Sequence, residues 1–113
     1  MEDKKKILIV GALFLVMAGV GGIHVEVLKD VAFRAVPITP AEAAALLDEL
    51  KSSRMLDGVR GAPPVNRAAL AELISRVSLF GAAAGERFAE LDLNPVRVNA
   101  QEAVAVDWLM VCR

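Results

Sequence analysis

The 113-residue sequence predicts an α/β fold of the α+β type, in which two helices pack on one mixed or antiparallel sheet as a two-layer domain. Apolar or alternating runs of strand length open and close the chain, at 7–16, 24–36 and 89–111. Two segments with helical spacing and clear start signals fill the middle. Ala, Val and Leu dominate a hydrophobic content of 56% against only 4% aromatics, which suits close packing of helices on a sheet. The length allows one domain. A formal net charge of -1 offers no overall basic surface, so a nucleic-acid partner is not expected. Cys112 is the single cysteine and has no intrachain partner, so the apolar core must hold the fold. A cytoplasmic location fits that cysteine usage.

The first element is the apolar run Ile7 to Val20, behind Lys4, Lys5 and Lys6. It has the look of a signal-peptide core or a short anchor. However, it falls short of the roughly 20 residues a spanning helix needs, acidic Glu2 and Asp3 dilute the basic start, and no Ala-x-Ala cleavage site follows. Buried strand is the expectation, as two short strands or one bent strand broken near Gly11. After the glycines at 19, 21 and 22, His24 to Leu28 alternates in a strand register, and Val31 to Val36 alternates again before Pro37.

Thr39-Pro40-Ala41-Glu42 is a helix start: a hydroxyl N-cap, Pro at the first position and Glu at the third can satisfy two backbone N–H groups reciprocally. The spacing predicts a helix from Pro40 to about Lys51, with Ala43, Leu46, Leu47 and Leu50 as its apolar stripe. A constrained loop, GVRGAPP at 58–64, follows. The second helix is expected from an Asn66 N-cap to about Leu79, with Leu70, Leu73, Ile74 and Val77 on one side. Gly81 and Gly85 then bracket a connector.

The chemistry concentrates in AELDLNPVRV at 89–98 and AVAVDWLMV at 103–111. If Asn99 to Glu102 form a hairpin loop, Val98 pairs with Ala103, Asn94 stands opposite Asp107 and Asp92 opposite Leu109. Two carboxylates and an amide oxygen then come within reach of one point, a donor set suited to Mg²⁺ bridging to phosphate. A bulge at Pro95 would shift the register and turn Asp107 away. Asp107 lies between Val106 and Trp108, where an unpaired buried carboxylate would be costly, which favours a ligand or hydrogen-bond role. Asn94 before Pro95 is equally a turn former. Glu26, Arg34 and Arg60 are candidates to line a nucleotide cleft, the arginines through bidentate phosphate contacts, or they stand as ordinary surface charges.

The strings GGIHVEVLKDVAFR at 21–34, GVRGAPP at 58–64, AELDLNPV at 89–96 and AVAVD at 103–107 resemble the C-terminal part of the ATP-grasp domain of NDP-forming acyl-CoA synthetases and related multidomain protein acetyltransferases. The resemblance covers about residues 19–109 and divides the chain into a divergent apolar segment, 1–18, and a partial ATP-grasp-like domain, 19–113. It implies Mg²⁺ and ATP or ADP as cofactors, with Asn94 and Asp107 as ligands of the nucleotide-bound metal and Asp92 beside them. It also implies phosphoryl transfer in acyl-CoA and acyl phosphate interconversion. The phosphate-contacting lysine and the adenine-holding strand of the family are not recognisable in the chain, and His24 does not match the family's phosphohistidine. The missing ATP-grasp portion, together with CoA-binding and ligase domains, is therefore expected on another chain. The rival expectation is a non-catalytic interaction or dimerisation module, self-associating as a homo-oligomer. A membrane anchor at the N-terminal end is the weakest alternative.

Overall fold

The structure, a computed structural model, describes residues 6–11, 15–19, 31–51, 53–58 and 63–113. The strand expected over His24 to Leu28 lies outside the described residues. Strands β1 (Lys6–Gly11) and β2 (Leu15–Gly19) pair antiparallel, so the first apolar run forms two short strands. Strand β3 (Val31–Ala35) pairs with the other side of β1. Helices α1 (Pro40–Asp48) and α2 (Arg67–Ala83) follow, and the chain returns in β4 (Phe88–Leu93), β5 (Val96–Val98), β6 (Ala103–Ala105) and β7 (Trp108–Cys112). The main sheet runs β3-β1-β2-β4-β7 with antiparallel pairing throughout, and β5 and β6 make a separate two-stranded ribbon. Among the described residues no helix is long and apolar enough to cross a membrane.

One face of the sheet is covered by the helices. Leu8 and Val10 are buried on β1, Ala32 on β3, and Phe88 and Leu93 on β4, and they form one cluster with the helix residues Ala43, Leu46, Leu47, Ala71, Ile74 and Val77. The period-two spacing of Leu8 and Val10 sends both side chains to that face. Helix α1 starts as the sequence indicates: the Thr39 side chain accepts from the Glu42 N–H at 3.1 Å, and Glu42 accepts from the Thr39 N–H at 3.0 Å. Hydrogen bonding of the carboxylate to Thr39, to the backbone N–H foremost and then to the side chain, holds the Glu42 carboxyl below its ordinary range. The helix stops at Asp48, short of Lys51, although Leu50 beyond its end remains buried in the core.

The second helix corrects the expected boundary in the other direction. It continues through Gly81 to Ala83, and Gly81 is buried within it. The chain leaves the helix at Gly85, whose φ of 80° is open to glycine and strained for other residues. The end of α2 is held from a distant part of the sequence: Lys6 Nζ donates to the Gly81 carbonyl at 2.5 Å and to the Gly85 carbonyl at 3.3 Å, and lies 5.1 Å from the centre of the Phe88 ring. A cation at the negative end of the helix macrodipole, with carbonyls to donate to, is stabilising there. Lys6→Met, which keeps the apolar stem, is expected to lower the unfolding free energy by about 1 kcal/mol. Urea unfolding read by circular dichroism measures it, and an unchanged midpoint would remove Lys6 from the account of the α2 terminus.

Candidate functional site

The 88–112 segment is one long hairpin that crosses from the main sheet into the ribbon. At the tip Asn99 N–H donates to the Glu102 carbonyl at 3.0 Å, while Asn99 Oδ1 accepts from the N–H groups of Gln101 and Glu102 at 2.8 and 2.9 Å. The side chain thereby mimics a backbone turn. Val98 pairs with Ala103 and Val96 with Ala105. Where the chain bends between sheets, Val106 N–H donates to the Pro95 carbonyl at 3.0 Å and Asn94 N–H to the Asp107 carbonyl at 3.1 Å. Beyond the bend Leu93 pairs with Trp108 and Asp92 with Leu109. The register therefore passes Pro95 without a slip, and Asn94 faces Asp107. The irregularity lies at the far end, between Phe88 and Glu90. The Asn94-Pro95 bond is cis.

The N-terminus of α2 supports this hairpin. Asn66 Oδ1 caps the helix by accepting from the Ala69 N–H at 2.9 Å. The same residue reaches the hairpin tip, its backbone N–H donating to the Asn99 carbonyl at 2.7 Å and its side-chain amide to the Gln101 carbonyl at 3.1 Å. The cap was legible in the sequence; the second role, and that of Asn99, was not. An Asn directly after an alternating run, at the first position of a four-residue loop, is the signal that points to it.

Asn94 and Asp107 are exposed and Asp92 is half-buried. The Asp107 carboxylate accepts from the Trp108 N–H at 2.8 Å. Asp92 is the unusual group: its Oδ1 atom is buried without a hydrogen-bond partner. An acceptor oxygen in that position is costly unless a cation or donor completes it. Among the described residues no cluster of three or more His, Cys, Asp or Glu side chains is placed to hold a metal. Two carboxylates and one amide oxygen fit a hard cation that takes its remaining ligands from water and phosphate, as Mg²⁺ does.

Arg34 stands apart from this group. Its partner across β1 is Leu8, so it lies on the helix-covered face, whereas Asp92 alternates with buried Leu93 and lies on the other. Among the described residues it is also on the strand at the opposite end of the sheet, about 19 Å from β7 at four strand spacings. The guanidinium makes a two-pronged ion pair with Glu49, Nη1 to Oε1 at 3.2 Å and a close Nη2–Oε2 contact, and donates to the Phe33 carbonyl at 2.7 Å. The hydrogen bonds between them raise the Arg34 pKa and lower that of Glu49. Glu26, Arg60 and His24 lie outside the described residues.

Residues 13–112 match the ATP-grasp domain family. The chain is 45% identical over 97 residues to acetate–CoA ligase [ADP-forming] I of Archaeoglobus fulgidus, covering 86% of this chain and 14% of that protein. It is 44% identical over 96 residues to the acetate–CoA ligase [ADP-forming] I subunit beta of Pyrococcus furiosus, covering 85% of this chain and 41% of that subunit. The chain thus spans less than half the length of these relatives. In structure it resembles the dinucleotide-forming acetyl-coenzyme A synthetase 1 of Ca. Korarchaeum cryptofilum in its apo form, with a TM-score of 0.74 and 28% identity over 100% of this chain and 55% of that one. The same synthetase in complex with coenzyme A and Mg-AMPPCP gives a TM-score of 0.73 at 28% identity, again over 100% of this chain and 55% of that one. With the LDLNP and VAVD segments forming the paired arms of its bent hairpin, the chain belongs to the ATP-grasp domain family, in the branch carried by NDP-forming acyl-CoA ligases.

Proposed function

We propose that this chain contributes a Mg²⁺-nucleotide half-site to an enzyme that transfers phosphoryl groups during acyl-CoA and acyl phosphate interconversion. Asn94 and Asp107 would hold the metal, with Asp92 beside them. The observation that carries this reading is the unbroken register through Pro95, which sets Asn94 and Asp107 face to face, and the orphan oxygen of Asp92 supports it. Bound Mg²⁺ supplies positive charge that offsets the phosphoryl oxygens. The chain's own part is to fix three oxygen donors on a hairpin whose tip is pinned to α2. Arg34, held by Glu49, is left out of the nucleotide contacts. Since the relatives are more than twice as long, the other ATP-grasp portion and the CoA-binding and ligase domains are the partners we propose, in the cytoplasm, on another polypeptide or in another stretch of a longer one.

Calorimetric titration of the purified chain with ADP or ATP, with and without Mg²⁺, tests the reading. Saturable, Mg²⁺-dependent binding that is lost in a folded Asp107→Ala variant is the expected result. Absence of binding up to millimolar nucleotide would overturn autonomous nucleotide binding by this half.

A further inference from the structure

The three proposed oxygen donors straddle a bend. Asp92 belongs to β4 of the main sheet, whereas Asn94 and Asp107 stand where the two hairpin arms leave that sheet for the ribbon. Their spacing therefore depends on the angle between sheet and ribbon. The ribbon cannot fix that angle alone, because it is two strands of three residues each, and an isolated two-stranded hairpin is at best marginally stable in water. Across the bend, Val106 N–H bonds to the Pro95 carbonyl and Asn94 N–H to the Asp107 carbonyl. At the base of the ribbon the paired residues Val96 and Ala105 pack against the core. At its tip the contacts with α2 are polar and converge on one residue.

That residue is Asn66. Its backbone N–H grips the Asn99 carbonyl and its side-chain amide nitrogen the Gln101 carbonyl, while Oδ1 is committed to the Ala69 N–H of α2. One end of the side-chain amide is thus on the helix and the other on the ribbon, and because only the nitrogen can donate, the two ends cannot exchange. Helix α2 is itself fixed to the main sheet, since its Ala71, Ile74 and Val77 are buried in one cluster with Leu93 of β4. The tip is therefore referred back to the strand that carries Asp92. A closed circuit runs from β4 along the hairpin to the tip, across Asn66 to α2, and through the core to β4 again.

We propose that Asn66 is a positioning residue for the Mg²⁺-nucleotide half-site: its clasp on the hairpin tip sets the angle of the bend and thereby the spacing of Asp92 from Asn94 and Asp107. This inference rests on the nucleotide reading above. Asn66 meets the hairpin at the end of the ribbon far from the donors, so it acts through the hairpin and not on the metal. With the clasp cut, the ribbon samples a range of bend angles, and only part of that range brings three oxygens to one point. Apparent affinity for the metal nucleotide then falls with the competent fraction.

Asn66→Asp separates the clasp from the helix cap. Aspartate caps the Ala69 N–H as well as asparagine does, but it has no amide proton for the Gln101 carbonyl and sets a second acceptor oxygen against it. Gln101→Glu is the control for charge, because it adds one negative charge at an exposed tip position and keeps the backbone carbonyl. In the intact, ligand-free chain, hydrogen exchange at the Asn94 and Val106 amides is expected to quicken in Asn66→Asp, with exchange at Ala69 and the urea midpoint unchanged. Calorimetric titration with ADP in the presence of Mg²⁺ is expected to show roughly tenfold weaker binding, the scale on which groups that orient metal ligands act. Gln101→Glu is expected to match the unsubstituted chain in both measurements. Unchanged exchange at the bend, unchanged affinity in Asn66→Asp, or an equal loss in Gln101→Glu would each overturn the proposal. So would a lowered midpoint with faster exchange throughout, which is the signature of a merely structural role. An unsubstituted chain that binds no nucleotide overturns the half-site reading and this proposal with it, and faster exchange at the bend in Asn66→Asp then marks the reading, not the clasp, as the part that failed.

Discussion

Leu46→Ala is expected to lower the unfolding free energy by about 2–5 kcal/mol, a large share of the roughly 5–15 kcal/mol that holds a domain of this size together. Leu46 is fully buried at the centre of the α1 stripe and belongs to the cluster that joins α1 to α2 and to strands β1, β3 and β4. Truncation removes the transfer free energy of the lost methyl groups and leaves a cavity. The surrounding residues close it only in part, because the cluster is braced from three sides by the sheet and both helices. Leu79→Ala is the matched control, since Leu79 sits on α2 and is more than half exposed. Its expected effect is within about 0.5 kcal/mol. Urea unfolding of the pair measures the difference, and equal midpoints would show that α1 is not integral to the core.

The parts of this fold that were legible in the sequence are those governed by short-range rules. The Thr39–Glu42 capping box, the Asn66 cap and the hairpin register all involve residues whose spacing along the chain sets their meeting. Asn94 and Asp107 were placed face to face by counting outward from a four-residue loop, and the structure keeps that count. What the count does not contain is the bend: the two arms divide between sheets, and the residues at the division bond across it. Contacts made across the fold were not legible. Lys6, which reads as part of a basic N-terminal run, finds its carbonyl partner 75 residues away at Gly81, and nothing local marks either end of that contact. Gly81 reads as a helix stop because glycine often ends helices; buried in α2, it is instead continued past, the intrinsic cost of about 1 kcal/mol being offset by packing. Arg34 is similar. As a guanidinium able to grip phosphate with two prongs it suggests a phosphate ligand, whereas the strand order among the described residues places it at the far end of the sheet, on the opposite face from Asp92 and in an ion pair with Glu49.

The apolar texture of the last strand carries a related lesson. From sequence, the apolar run at 103–111 reads as a strand paired with 89–98, and that pairing forms on one side. Its other side remains uncovered among the described residues, so an apolar run by itself does not tell a central strand from one at the end of a sheet.

Ser78→Ala is expected to lower the unfolding free energy by about 2 kcal/mol, more than its small volume change would suggest. Ile38 is buried in the junction between β3 and α1, where its N–H donates to Ser78 Oγ at 3.0 Å. Its carbonyl accepts from Ser75 Oγ at 2.8 Å. Both serines are buried on α2, and the Ser78 hydroxyl donates in turn to the Ser75 carbonyl at 2.6 Å. These bonds anchor the residue that directly precedes the Thr39 N-cap, so they set where α1 begins relative to α2. Alanine leaves the Ile38 N–H inside the protein with no acceptor, at a cost of about 1–3 kcal/mol, and the higher helix propensity of alanine returns only about 0.5 kcal/mol. Ser75→Ala is expected to cost less, because the Ser78 hydroxyl, 3.3 Å from the Ile38 carbonyl, can turn its one proton to it from the Ser75 carbonyl. Urea unfolding orders the two variants, and hydrogen exchange at the Ile38 amide gives a local readout. Faster exchange there in Ser78→Ala is the expected result. Unchanged protection together with an unchanged midpoint would show that the β3–α1 junction is held by apolar packing alone.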